Sequence, residues 1–195
     1  MASSILALFE ETGAYLRGHF RLTSGLHSGE YLQCAKVLAY PQHAERLGQA
    51  LAKKLRPLLE GATVTVVSAP AMGGLIIGHE VARAFGVPFY FSERDSATNE
   101  MTVRRGFSFK PGDRAVVVED VITTGGSTRE VIRLLQNAGV EVLAAGSIID
   151  RSNGAANVAV PTVALEQMEV VTYDPENCPL CREGIPLVKP GSRRV

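Results

Sequence analysis

"VVVEDVITTGGSTRE", Val116–Glu130, packs into one short run an apolar stretch, a Glu-Asp pair, a loop of hydroxyl and glycine residues, and the start of a helical pattern. Consecutive valines that give way to small residues describe a strand buried on both faces, as in a parallel sheet. In open parallel sheets ligands sit outside the carboxyl ends of the strands. The strand is read over residues 114–118 and ends at Glu119 and Asp120, so both carboxylates are expected at that edge. Thr123, Thr124, Gly125, Gly126 and Ser127 then lead into a helix read from Thr128 to Ala138. Glycines let a backbone close around a ligand, a helix start offers free N–H groups, and hydroxyls add donors, so the loop suits a phosphate. The carboxylates cannot serve that phosphate, because like charges repel. They suit the vicinal hydroxyls of a sugar, or Mg²⁺ held indirectly. Phosphate at one end and diol acceptors at the other describe a ribose 5-phosphate site. Taken alone, the glycine loop also reads as an ordinary strand-to-helix turn. It is neither a Walker loop, lacking Gly-Lys-Ser/Thr, nor a dinucleotide fingerprint.

Outward from this centre the same alternation continues. "TVTVVSAP" (63–70) reads as a strand, "GGLIIGHEVARAF" (73–85) as a helix, "PFYFSE" (88–93) as a strand and "EVLAAGSIID" (141–150) as another. Residues 94–113 are polar and show no clear period. Ahead of these, Ala44, Leu47, Leu51, Leu55 and Leu58 recur at helical spacing between Pro41 and Leu59, with proline suited to the first turn. Residues 2–12 read as helix, and 19–33 as two short strands around Ser-Gly turns. The stretch from Tyr173 onward is rich in proline and glycine and reads as irregular with a loose tail. The expected fold is α/β: a central parallel sheet flanked by helices, with a small N-terminal hood.

Bulk properties narrow the function. The 195 residues are 46% hydrophobic, enough for one domain with a substantial core. Lys+Arg and Asp+Glu both number 20, and this zero balance argues against nucleic acid as partner. No apolar run approaches the roughly 20 residues of a membrane span, and the N-terminus lacks the basic region of a signal peptide, so a cytoplasmic protein is expected. Cys34, Cys178 and Cys181 give no disulfide framework. "CPLC" is a single C-x₂-C without a second pair, and His19, His27, His43 and His79 are remote from it in sequence. Its two cysteines therefore read as small residues stabilising the C-terminal segment, with a zinc shared across a dimer as the alternative, and no metal ligand is assigned.

"VVVEDVITTGGST" resembles the phosphoribosyl-diphosphate (PRPP) motif of type I phosphoribosyltransferases. Within that family, "GHFRLTSGLHSGEYLQ", "APAMGGLIIGHEVAR" and "IIDRSNG" resemble the orotate-using members, and the likeness spans about residues 13–192. The resemblance implies transfer of ribose 5-phosphate from PRPP to orotate, with Mg²⁺ as cofactor and a homodimer with shared sites. It implies that Glu119 and Asp120 contact the ribose hydroxyls and that Val121, Ile122, Thr123, Thr124, Gly125, Gly126 and Ser127 wrap PRPP. Ala71, Met72, Gly73 and Gly74 would bind pyrophosphate, and Thr123 and Arg151 would bind orotate. Thr23 to Gln33 would form part of the hood over the base, with Thr23 standing where relatives often carry lysine; His27 there suits either the base or a structural role.

One segment departs from the family pattern. Relatives carry a mobile loop rich in lysine with a histidine, whereas residues 92–107 contain neither, and Arg94, Arg104 and Arg105 are their only cations. Arg94 is assigned to the PRPP diphosphate across a dimer interface. The competing readings are a phosphoribosyltransferase for another base, and a non-catalytic nucleotide-sensing regulator on the same fold.

Overall fold

A computed structural model describes residues 5–22 and 24–190. In chain order its elements are α1 (Ile5–Glu11), β1 (Tyr15–Arg21), β2 (His27–Leu32), α2 (Cys34–Leu38), α3 (Pro41–Leu55), β3 (Val66–Pro70), α4 (Gly74–Phe85), β4 (Phe89–Arg94), β5 (Met101–Val103), β6 (Arg114–Ile122), α5 (Gly126–Asn137), β7 (Glu141–Asp150), β8 (Thr162–Gln167), β9 (Thr172–Tyr173) and α6 (Pro179–Arg182). They form two units: Tyr40–Met168, and the described parts of Met1–Ala39 with Glu169–Val195.

The larger unit is built on a six-stranded sheet of order β5-β4-β3-β6-β7-β8. Every neighbouring pair is parallel except β4 and β5. The valine run of β6 lies at the middle because both its faces are covered, and Val116, Val117 and Val118 have no exposed surface. Ala115 and Val117 meet Val131, Ile132 and Leu135 of α5 on one side. On the other side α4 packs against β3 and β6, while α3 packs against α4, β7 and β8. Leu51 and Leu55 of α3 fill the space over Gly146 of β7.

Several boundaries differ from the sequence reading for identifiable reasons. The helix from Pro41 ends at Leu55 and continues as a 3₁₀ turn, Arg56–Leu59, because Pro57 lacks the N–H an α-helix needs there. The change of pitch buries Leu59 where the helical period had picked Leu58. β6 runs to Ile122, so the Glu-Asp pair lies inside the strand and not beyond its end. The featureless 94–113 stretch holds β5, an antiparallel return of β4. β8 went unread, its alternation being too short to stand out.

The smaller unit carries the three-stranded antiparallel sheet β1-β2-β9, together with α1, α2 and α6. The expected irregular C-terminal segment is thus partly regular. Thr172 and Tyr173 pair with Ser28 and His27, Val188 bridges Phe20, and Asp174 caps a 3₁₀ turn at Pro175–Asn177. Distance in sequence also concealed a cluster: His19 and His27 lie against Cys178 and Cys181. His27 makes its contacts within that cluster, with His19 Nε2 at 3.0 Å from His27 Nδ1.

Candidate active site

Three loops leave the carboxyl ends of the adjacent strands β3, β6 and β7, and together with the end of β6 they contain the site residues singled out in the sequence except Arg94, which stands on β4. The chain winds outward from β3 through α4 to β4, and from β6 through α5 to β7 in the opposite direction. The gap between β3 and β6 is therefore the switch point at which such sheets bind ligands.

The first loop brings a backbone up against a carboxylate. A Cβ at Gly73 would lie 2.5 Å from Asp120 Oδ1 and 2.7 Å from its Oδ2, so only glycine lets the loop pass this close. A Cβ at Gly74 would lie 2.7 Å from the Ala69 Cβ, which explains the second glycine. Ala71 N donates to the Ser92 carbonyl at 2.7 Å, and the Ala71–Met72 peptide bond is cis. Met72 is 77% exposed, so this apolar side chain projects away from the protein at a loop otherwise made of small residues.

At the end of β6, ahead of the second loop, Glu119 is buried and accepts from Asp120 N at 3.3 Å, while Asp120 Oδ1 accepts from Val121 N at 2.8 Å. Loss of hydration pushes the Asp120 carboxyl above the usual aspartate value, and hydrogen bonding, including that from Val121 N, only partly opposes it. A negative charge held there is under-solvated and is improved by any ligand that brings hydroxyl donors or a cation. Gly125 has φ +74°, a left-handed conformation, and forms the N-cap of α5. The helix therefore starts at Gly126, two residues before the position read from the sequence, and Gly126 and Ser127 occupy its first turn. Their N–H groups have no earlier helical carbonyl to bond and face the end where an anion is favoured.

Arg129 was missed in the sequence. Its Nη1 donates to the carbonyls of Thr124 at 2.7 Å and Asn157 at 2.9 Å, clasping the loop from behind. Nothing in the sequence distinguishes it from a surface arginine on a helix.

The third loop places Arg151 beside Thr123. Ile122 pairs with Asp150 in the β6–β7 ladder, and Arg151 N donates to the Ile122 carbonyl at 2.8 Å, so the next residue of each strand emerges side by side. Asp150 shapes the turn that follows. Its Oδ1 accepts from Ser152 N at 2.8 Å and Ser152 Oγ at 2.6 Å, and its Oδ2 from Gly154 N at 2.9 Å. Asp followed by Ser and Gly is a legible turn signal that the sequence reading passed over.

Arg94 is engaged elsewhere. Its Nη2 pairs with Glu130 of α5 at 2.6 Å and its Nη1 donates to the Asn99 carbonyl at 2.9 Å. Arg104 faces Glu93 and Asp95, and Arg105 pairs with Glu93 at 2.8 Å. Thr23 lies outside the described residues.

Glycine loops on both sides of an acidic strand end, at the switch point of a parallel sheet, are the arrangement expected of a phosphoribosyltransferase. The family model for the phosphoribosyl transferase domain matches residues 36–173. A protein of Pelotomaculum thermopropionicum named orotate phosphoribosyltransferase is 54% identical over 98% of this chain and 97% of its own length. A protein of the same name from Desulforamulus reducens is 52% identical over the same shares. The chain belongs to the orotate phosphoribosyltransferase family. Among solved structures, the orotate phosphoribosyltransferase of Aeropyrum pernix matches with a TM-score of 0.67 at 27% identity, over 83% of this chain and 92% of that one. An adenine phosphoribosyltransferase at 17% identity and TM-score 0.65 shares the fold, covering 81% of this chain and 98% of that one.

Proposed function

We propose that this chain transfers ribose 5-phosphate from PRPP to orotate, giving orotidine 5′-monophosphate and pyrophosphate in the making of pyrimidine nucleotides. One observation carries the reading. The 71–74 loop, the Glu119–Asp120 pair, the Gly125 helix start and the Thr123–Arg151 pair occur at one sheet edge, and their donors and acceptors suit pyrophosphate, ribose, 5-phosphate and an anionic base.

The carbon–oxygen bond to pyrophosphate breaks at the anomeric carbon as the orotate nitrogen bonds to it, and no protein nucleophile is needed. The chain contributes position and charge. The α5 start and the Thr123–Ser127 loop hold the 5-phosphate. The Glu119 and Asp120 carboxylates accept from the ribose hydroxyls and favour the positive charge that develops on the sugar. The backbone of 71–74 receives the departing pyrophosphate. The Arg151 guanidinium, beside Thr123, takes the orotate carboxylate through two parallel hydrogen bonds. The charge of orotate lies on its carboxylate, and the ring N–H proton released as the new bond forms passes to the departing pyrophosphate or to water, so no general base is assigned among the protein's residues.

The donors at this edge fit Mg²⁺, because the Asp120 carboxylate is under-solvated and oxygen ligands suit a hard cation. Asp120, with Glu119, would hold it through water, and bound Mg²⁺ makes pyrophosphate a better leaving group. The proposal includes a homodimer in which Arg94 reaches the partner's PRPP diphosphate, a cytoplasmic location, and no nucleic-acid or membrane partner. Among the described residues no helix is long and apolar enough to cross a membrane.

The test follows orotate absorbance with purified protein, PRPP and Mg²⁺, with adenine, hypoxanthine and uracil in parallel. Mg²⁺-dependent consumption of orotate alone is expected. Turnover of another base in its place refutes the orotate assignment, and PRPP binding without any turnover refutes the enzymatic one.

A further inference from the structure

Four side chains of the smaller unit converge from opposite ends of the chain. His19 stands on β1 and His27 opens β2, and the antiparallel pairing of Arg21 with His27 sets the two rings together. The C-x₂-C supplies the other two. Cys178 is the N-cap of α6 and Cys181 lies within it. Cys178 Sγ is 3.5 Å from His19 Nε2, while Cys181 Sγ is 3.7 Å from His19 Nε2 and 3.4 Å from His27 Nδ1. All four candidate ligand atoms lie within 4.8 Å of one another.

Four of the six separations are given by these contacts, and they match edges of a tetrahedron around a metal ion. Zinc bonds of about 2.0–2.1 Å to nitrogen and about 2.3 Å to sulfur, at the tetrahedral angle, put nitrogen and sulfur about 3.6 Å apart and two nitrogens about 3.3 Å apart. The three nitrogen–sulfur distances bracket the first value, and the histidine nitrogens at 3.0 Å lie slightly inside the second. His19 is also oriented as a ligand. Its Nδ1–H donates to the Ile185 carbonyl at 2.8 Å, which fixes the tautomer and leaves the Nε2 lone pair facing the cluster. Two thiolates and two neutral imidazoles balance a divalent ion, so the centre is uncharged where His19, His27 and Cys178 are buried.

We propose that His19, His27, Cys178 and Cys181 form a closed tetrahedral zinc site that fastens the C-terminal segment to the β1–β2 hairpin. The segment has need of it. Its regular backbone pairing to the hairpin consists of two residue pairs and one bridge. The ion would join histidines and cysteines more than 150 positions apart in sequence. With every position filled by protein, the zinc is structural and takes no part in the transfer reaction. The soft sulfur ligands also separate this site from Mg²⁺, which requires oxygen.

The test uses the full chain, purified without a histidine tag under reducing conditions. Elemental analysis should find one zinc per chain. Replacing zinc with Co²⁺ should produce thiolate-to-metal charge transfer and the intense visible bands of a tetrahedral centre. Cys178→Ser and Cys181→Ser should each lose the metal, and His79→Ala should keep it. Stripping with a chelator should lower the melting temperature, and zinc should restore it. Failure of the reduced wild-type chain to take up stoichiometric zinc or Co²⁺ overturns the proposal, as does an octahedral Co²⁺ spectrum or a Cys178–Cys181 disulfide in the metal-free native protein. If the serine variants do not fold, the Co²⁺ spectrum of the unaltered chain decides.

Discussion

Gly73→Ala separates the site's geometry from the fold's stability. Gly73 has φ −59° and ψ −41°, a conformation open to any residue, so alanine adds no backbone strain. What it adds is a methyl group 2.5 Å from Asp120 Oδ1, about 1 Å inside ordinary contact. Either the carboxylate swings away or the 71–74 loop lifts, and each shifts a reacting group by about that much. A displacement of about 1 Å costs on the order of 100-fold in rate, equivalent to about 2.7 kcal/mol of transition-state stabilisation. Gly→Ala at a compatible position contributes about 0.4–1 kcal/mol through the unfolded chain, which offsets part of the contact. The melting temperature should therefore stay within about 4 °C of the parent. The assay is kcat/KM for PRPP at saturating orotate, with a thermal melt on the same sample. A folded variant with unchanged kcat/KM would refute the idea that the loop's approach to Asp120 sets the reaction geometry.

Three other substitutions address the remaining parts of the site. Asp120→Asn should abolish most activity yet raise the melting temperature at neutral pH. The folded-state pKa of Asp120 is raised by loss of hydration, so ionising it destabilises the fold. That cost is absent below the ordinary aspartate value and complete above the raised one, so the gain from asparagine should vanish as a melting series is taken to low pH. Arg129→Met should raise KM for PRPP about 10-fold with little change in kcat, because charge-assisted bonds to Thr124 and Asn157 are lost from a loop that can still form; steady-state kinetics checks it. Asp150→Ala leaves three donors of the turn after Arg151 unpaired, and should raise KM for orotate more than KM for PRPP while lowering stability by about 1–3 kcal/mol in denaturant titration.

The parts of the molecule legible in the sequence are those encoded within one strand–loop–helix unit. Val116–Val118 announce a strand buried on both faces, and a run of glycines announces a helix start, without reference to anything distant. What stayed hidden depends on partners far along the chain. Arg129 becomes a clasp only when Asn157 comes round to meet it. Gly73 becomes obligatory only when β3 and β6 lie together and bring Asp120 beneath it. The histidines of the hairpin gained meaning only from cysteines more than 150 positions away. Even the start of α5 was misplaced by a local conformation, the left-handed Gly125, that residue type permits but does not demand.

The lysine-free loop is the place where sequence and structure together say most. Arg94 is the cation the sequence assigns to the diphosphate, yet it and the segment's other two cations each face a carboxylate of their own chain: Glu130 for Arg94, Glu93 and Asp95 for Arg104, and Glu93 for Arg105. Ion pairs as open to solvent as these contribute only about 0–1 kcal/mol. A multiply charged diphosphate competes easily with a single carboxylate for such a guanidinium, above all once water is excluded. The pairs thus give the arginines partners without locking them away. A lysine-rich loop would repel itself and stay loose until its ligand arrived. A loop that carries its own counter-ions is already folded, and binding of a diphosphate there would be an exchange of partners in place of an ordering of chain.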